Sequence, residues 1–229
     1  MTIRDKFKNR LFGFPMLKQM LDMDFESIIK YLDFVYESID NEQKEIDKLN
    51  DGLTTFENEF DEESFDSFIA DKSYYFDSVF PNELNKGIFL SIFGTFEFRI
   101  RIAHKLVYQI VKKEKYSDKN FLDIWTVKQN MLDLLDCSNK ELKESWKSIN
   151  HLKEIRNSIA HNNSMTNISL KNSDFKLVKD LILSEYSEYL TIDNGFFKIE
   201  RKDFHYFAIA KFKDFFKNLD IEVKNYTIL

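Results

Sequence analysis

The chain has 229 residues, a net charge of −6, five glycines, two prolines and one cysteine. That length suits one ample domain, or one domain with a helical extension, and so few breakers imply long uninterrupted elements. Cys137 stands alone, which excludes an intramolecular disulfide and a thiolate-ligated zinc site, and the acidic balance argues against a general coat for duplex nucleic acid.

Residues 1 to about 22 are mixed in character. From Phe25 apolar residues recur at Ile28, Leu32, Val35, Ile39, Ile46 and Leu49, which predicts a long amphipathic helix ending at the turn signal Asn50-Asp51-Gly52. Residues 57–66 are acidic and fit a solvated loop or a helix start. A short helix should follow to about Val79 and stop at Pro81. Residues 83–113 carry Phe89, Leu90, Ile92, Phe93, Phe96, Ile100, Ala103, Val107 and Ile110 round most of the circumference, so this helix belongs in the middle of a bundle. Glu97, Arg101 and His104 share one of its faces at i, i+4 and i+7, and polar groups there must be paired or face a cleft.

Ser117 to Leu135 reads as another amphipathic helix, with Leu122, Trp125, Met131 and Leu135 buried. Ser138 and Glu141 form a capping box. The helix it starts buries Leu142, Trp146, Ile149, Leu152, Ile155 and Ile159 and ends at Asn162-Asn163-Ser164. A helix over Asp174–Tyr186 follows. Asp193-Asn194-Gly195 then joins two strands into a hairpin near residues 190–199, and a last helix covers about Asp203 to Leu219. The expectation is an all-α bundle with a long N-terminal helix and one small hairpin. Residues 1–80 are expected to form a helical extension packed on a core of residues 81–229. Most of the 24 phenylalanines are expected in that core.

No apolar run reaches the roughly 18 residues that cross a bilayer. The longest candidate, Gly87 to Ile110, is interrupted by Glu97, Arg99, Arg101, His104 and Lys105. No apolar leader opens the sequence, and the expected location is cytoplasmic with no membrane partner. There is no Gly-rich phosphate loop and no metal-ligand spacing among His104, His151, His161 and His205, so no cofactor or metal is expected. Cys137 sits at a helix start, where a thiolate is favoured, but without a nucleophile signature.

An Arg-x4-His pattern occurs twice, as Arg99 to His104 and as Arg156 to His161. Context favours the second. Asn150, Glu154, Asn157 and His161 fall at i, i+4, i+7 and i+11, a polar stripe on an otherwise apolar helix, and Arg156 flanks it. Arginine offers a planar, permanently charged fork for phosphate, and histidine titrates near neutrality. With an amide to orient them, these groups suffice to cleave RNA, whose 2′-hydroxyl is its own nucleophile. Taken by itself, this local chemistry fits a plainer reading better: a solvated helix end with a histidine favoured by the helix dipole.

The segment LKEIRNSIAHNN resembles the signature of the HEPN superfamily, with Arg156, Asn157 and His161 at its positions. The preceding helix GIFLSIFGTFEFRIRIAHKL resembles that superfamily's core helix, with Glu97 at the place of a frequent acidic residue. The hairpin and final helix complete a likeness over roughly residues 80–220. The resemblance implies a helical bundle that dimerises and brings two Arg/His pairs into one cleft. It further implies a metal-independent endoribonuclease of toxin or antiphage-defence type, with RNA as substrate and an antitoxin or defence protein as a possible partner. Some HEPN toxins carry a tyrosine two residues after the histidine, modified by a partner enzyme. Here Asn163 holds that place, so that mode of neutralisation does not carry over. In this reading Arg156 binds the scissile phosphate, His161 is the general acid or base, and Asn157 positions either of them or the phosphate. Glu97 is expected to pin Arg156 or Arg101, with Arg101, His104 and Glu154 in support. The alternative is a noncatalytic module that binds a protein or nucleic acid through the same groove. The intact trio favours the enzyme, and the acidic charge slightly favours the module.

Overall fold

Helix α1 (Gly13–Gly52) ends where the turn signal predicts but begins twelve residues before Phe25. Phe14, Leu17 and Leu21 continue the same stripe toward the N-terminus and are buried beside Phe25 and Leu32, which explains the extra turns. The computed structural model describes residues 13–52, 59–117, 122–137, 139–165 and 173–228. Helix α2 (Glu59–Tyr74) runs through most of the acidic stretch, so that segment is helix rather than loop.

Pro81 does not stop the chain. A π-helical turn (Tyr75–Val79) leads directly into α3 (Phe80–Lys112), and Pro81 sits in the first turn of α3. A missing N–H costs nothing there, because first-turn amides have no intrahelical acceptor. The amide of Phe80 reaches back to the carbonyl of Tyr75, the wider spacing of a π-turn.

Helix α3 is the centre of the bundle, as its all-round apolarity predicts. Phe89, Ile92, Phe93, Phe96, Ile100, Ala103 and Val107 are completely buried. Phe96 stacks on Phe212 with ring centroids 4.2 Å apart, and Phe93 meets Phe212 edge-on at 5.6 Å. Asn85 on the same helix is a completely buried polar residue. The amide of Asn85 donates to the hydroxyl of Tyr36 at 2.8 Å and to the carbonyl of Ile199 at 2.7 Å. Its oxygen accepts from Nε2–H of His205 at 2.9 Å. A completely buried asparagine with this many partners ties four elements together, which is how such a group is tolerated.

Helix α4 (Ile124–Leu134) is shorter than the predicted Ser117–Leu135. Its start is set by Asp123, whose carboxylate accepts from the amides of Trp125 at 2.8 Å and Thr126 at 3.2 Å. Residues 118–121 of that prediction lie outside the described residues. Trp125, expected inside, is 42% exposed because the cap places it on the outer side of the first turn. Leu122 is half-buried, while Met131 and Leu135 are buried as expected.

Helix α5 (Lys140–Asn162) is capped by Asn139, one residue after the predicted Ser138, which itself lies outside the described residues. The Asn139 carboxamide oxygen accepts from the Leu142 amide at 3.0 Å, and its nitrogen donates to Glu222 at 2.7 Å. All six predicted core positions of α5, Leu142 to Ile159, are buried. Helix α6 (Ser173–Glu185) precedes strands β1 (Leu190–Asp193) and β2 (Phe196–Ile199), paired antiparallel with Asp193 opposite Phe196. Asn194 (φ 48°) and Gly195 (φ 81°) form the left-handed two-residue turn that such a hairpin needs. Helix α7 (Asp203–Ile228) passes the predicted end at Leu219, since no breaker follows and Val223 is still buried.

The described residues are thus mostly helical with one small hairpin, and one buried cluster holds Phe14 and Leu21 of α1 together with α3, α5 and α7. No helix among the described residues is long and apolar enough to cross a membrane.

Candidate functional site

The Arg156–His161 segment closes α5, and its backbone is fastened beyond the helix end. Asn163 (φ 49°) turns the chain into the left-handed region, and the Ser164 amide returns to the carbonyl of Ser158 at 3.0 Å. The Ser164 carbonyl then accepts from the amide of Phe197 at 2.9 Å, and Met165 bridges Phe196. Ser158 adds a long hydrogen bond, 3.4 Å, to the carbonyl of Met165. The hairpin therefore holds the last turn of α5 in place. The sequence marks the helix end at Asn162-Asn163 but carries no local signal for this fastening, which joins Ser164 to Phe197.

Three of the predicted residues come together. Arg156 donates through Nη1 to the carboxamide oxygen of Asn157 at 3.1 Å. Its Nη2 faces Glu97 Oε2 across 3.9 Å, a charge contact rather than a hydrogen bond. The two side chains are 29% and 24% exposed, so the pair lies at the surface with part of the guanidinium open. Glu97 comes from α3 and Arg156 from α5, and the packing of those helices brings them face to face. His161 is exposed in the last turn, about 7.5 Å further along the axis than Arg156. Glu154 is half-buried on the same helix. Asn150, which shares a face with Asn157 and His161, has a buried carboxamide oxygen with no hydrogen-bond partner among the described residues.

The other two supporting residues lie elsewhere. Arg101 donates through Nη1 to the backbone carbonyl of Glu97 at 2.8 Å and through Nε to the carbonyl of Leu122 at 3.3 Å. It ties the approach to α4 onto α3, and its guanidinium is bound to backbone rather than to the Glu97 carboxylate. His104 is buried and meets the ring of Tyr116 edge-on at 5.2 Å. It lines a cavity of about 520 Å³ between α3 and α4, together with Tyr108, Lys112, Asn130 and Asp133. Apart from His104, none of these residues belongs to a motif in the sequence.

The first Arg-x4-His copy is internal. Arg99 is buried, with Nη2 2.6 Å and Nε 2.7 Å from Asp24 Oδ2. Cys137 donates to Glu222 at 3.5 Å, and burial pushes its thiol up, so the site disfavours the thiolate that a helix start would promote. Among the described residues no group of three or more His, Cys, Asp or Glu side chains is placed to hold a metal ion. No family model, no curated protein and no solved structure matches the chain.

Proposed function

We propose that the chain is a metal-independent endoribonuclease whose working groups are Arg156, Asn157 and His161, of the toxin or antiphage-defence kind that its HEPN resemblance implies. The observation that carries the reading is the guanidinium held by Asn157, opposed by one carboxylate, on the helix that ends in an exposed His161. The Arg156 fork takes the non-bridging oxygens of a phosphate and stabilises the charge that develops there. The RNA 2′-hydroxyl attacks that phosphorus. His161 removes the hydroxyl proton or donates one to the departing 5′-oxygen, and the His161 of a second copy performs the other transfer. The bond to the 5′-oxygen breaks, leaving a 2′,3′-cyclic phosphate and a 5′-hydroxyl. Asn157 keeps the fork in one orientation, and Glu97 sets its direction by charge.

The test is cleavage of an RNA oligonucleotide in excess chelator, beside the same oligonucleotide with one 2′-deoxy substitution at the cut. Wild type should cut the first and spare the second. His161→Ala should lose roughly 10²–10⁴-fold of rate with its helix content unchanged. Equal cutting of the deoxy substrate, or full activity in His161→Ala, moves the chemistry away from this segment and leaves the noncatalytic module as the better reading.

A further inference from the structure

Trp125 is 42% exposed, yet its ring has a fixed seat. It meets Trp146 of α5 with centroids 5.8 Å apart and planes tilted by 56°. Trp146 is buried, with Phe215 at 5.4 Å and Phe96 at 6.4 Å behind it. Lys128 Nζ lies 5.0 Å from the Trp125 centroid and 5.7 Å from that of Trp146, so the ammonium sits in the angle between the rings. Positive charge collects there. Burial first, and the charge of Lys143 second, hold Lys128 below its usual value, so the two cations are close enough to repel; Asp133 offsets part of this. Lys128, Lys143 and Lys147 have no ion-pair partner among the described residues. The nearby carboxylates are engaged: Asp123 caps α4, Asp133 accepts from Gln129 at 2.7 Å, and Glu144 faces Lys140 at 3.7 Å. Lys143, Asn150, Asn157 and His161 fall at i, i+7, i+14 and i+18, so the polar stripe of α5, which also carries Glu154, begins at Lys143. Trp146 is about 15 Å along the axis from Arg156. Arg101 links the carbonyl of Leu122, three residues before Trp125, to the carbonyl of Glu97, which anchors the start of α4 to the turn that faces Arg156.

We propose that Trp125, Lys128 and Lys143 form a docking ledge for single-stranded RNA beside the cleavage site, an assignment that rests on the ribonuclease reading above. An unpaired base of the substrate, a few nucleotides from the cut, stacks on the exposed part of the Trp125 ring. Lys128 and Lys143 receive the phosphates on either side of it, which relieves their mutual repulsion. Stacking needs a base with a free face, and within a duplex every base is covered. The net charge of −6 also opposes duplex, so the ledge selects single strands. Every base has a π-face, so the contact is tolerant of sequence.

The experiment measures binding separately from cutting. Trp125 and Trp146 are the two tryptophans of the chain, and Trp125 is the exposed one, so its emission reports the contact. Wild type is titrated with a single-stranded 2′-O-methyl RNA dodecamer, which no 2′-hydroxyl chemistry can cleave. Its counterparts are the same strand annealed to its complement and a sugar–phosphate oligomer of equal length without bases. The single strand should quench tryptophan emission and bind about tenfold or more tighter than either counterpart. Trp125→Ala, at an exposed position, should keep wild-type helix content and lose about tenfold in affinity for the single strand. Trp125→Phe should recover part of that loss. Lys143→Gln should reduce the slope of log affinity against log salt by about 0.7, the signature of one phosphate contact. Unchanged affinity in Trp125→Ala, equal binding of either counterpart, absence of quenching, or an unchanged slope in Lys143→Gln overturns the ledge. Failure of the ribonuclease reading is seen independently: the 2′-O-methyl strand binds and quenches as described, while an all-ribose strand of the same sequence stays uncut.

Discussion

Two arginines precede a histidine by five positions, and their surroundings differ. Arg99 is 6% exposed and holds Asp24 through two nitrogens, so Arg99→Ala leaves a carboxylate without its cation and removes a packed stem. Losing one partner of such a pair should cost about 3 kcal/mol, visible as a lower denaturant midpoint. Arg156, more open and bound to its own neighbour Asn157, should tolerate alanine with little loss of stability and, under the proposed function, no remaining cleavage. Unfolding by Arg156→Ala, with Arg99→Ala merely inactive, would reverse the two roles. His205 supplies a prediction with a sign. Burial holds its imidazole down at about 4, against 6.5 for an open histidine, and Nδ1 has no partner among the described residues. Above pH 6.5 both folded and unfolded chains carry it neutral, and it adds no pH dependence. Below 6.5 the unfolded chain takes up a proton that the folded chain refuses, so stability falls between pH 6.5 and 4, by up to roughly 3 kcal/mol. Urea midpoints measured across that window should fall more steeply for wild type than for His205→Gln. Parallel slopes would show that the ring is protonated in the folded protein.

At the scale of elements, apolar spacing was a better guide than breakers. The core faces of α3 and α5 and the turn at Asn194-Gly195 were legible because each is set by residues a few positions apart. The boundaries at Gly13, Pro81 and Asp123 were not. A proline in a first turn is harmless, and a preceding π-turn absorbs the change of spacing, so Pro81 carried the wrong meaning when taken as a stop. The grouping of Arg156, Asn157 and Glu97 could be anticipated from helix order and one local motif. The cavity could not, because Tyr116 comes from the irregular segment after α3 and Asn130 and Asp133 from a different helix than Lys112. Nor could the fastening of α5 to β2, which rests on a backbone hydrogen bond between Ser164 and Phe197. That fastening makes the hairpin turn matter to the site. Gly195 has φ 81°, where a Cβ is strained, and Gly195→Ala should lower stability by about 1 kcal/mol. Its effect on cleavage should exceed that of an equally destabilising change in α2, because the hairpin holds the end of the helix that carries His161. Equal losses in the two variants would separate the hairpin from the site.

At the scale of the whole molecule, one copy of the chain provides one Arg156 and one His161, whereas cleavage by an internal hydroxyl needs one proton removed and another supplied. Under the proposed function a second copy related by a two-fold axis completes the set, since such symmetry would place the same residues on both sides of one cleft. The surface has apolar material to support association. Met16, Met20 and Met23 are exposed on α1, Met20 Sδ lies 3.8 Å from Arg99 Nη1, and the Arg99 guanidinium lies 5.3 Å from the exposed ring of Phe98. The protein should therefore be a dimer by light scattering at micromolar concentration. Mixing is the sharper test. Arg156→Ala and His161→Ala should each be inactive alone. When they are unfolded together and refolded, the mixed dimer carries one intact arginine and one intact histidine on different chains. A composite cleft then recovers part of the cleavage, because the surviving Arg156 and His161 face the same phosphate from opposite sides. A site contained within one chain recovers none, since no single copy in the mixture has both groups. Full wild-type activity from a monomer would likewise place both proton transfers within one chain and remove the need for the two-fold axis.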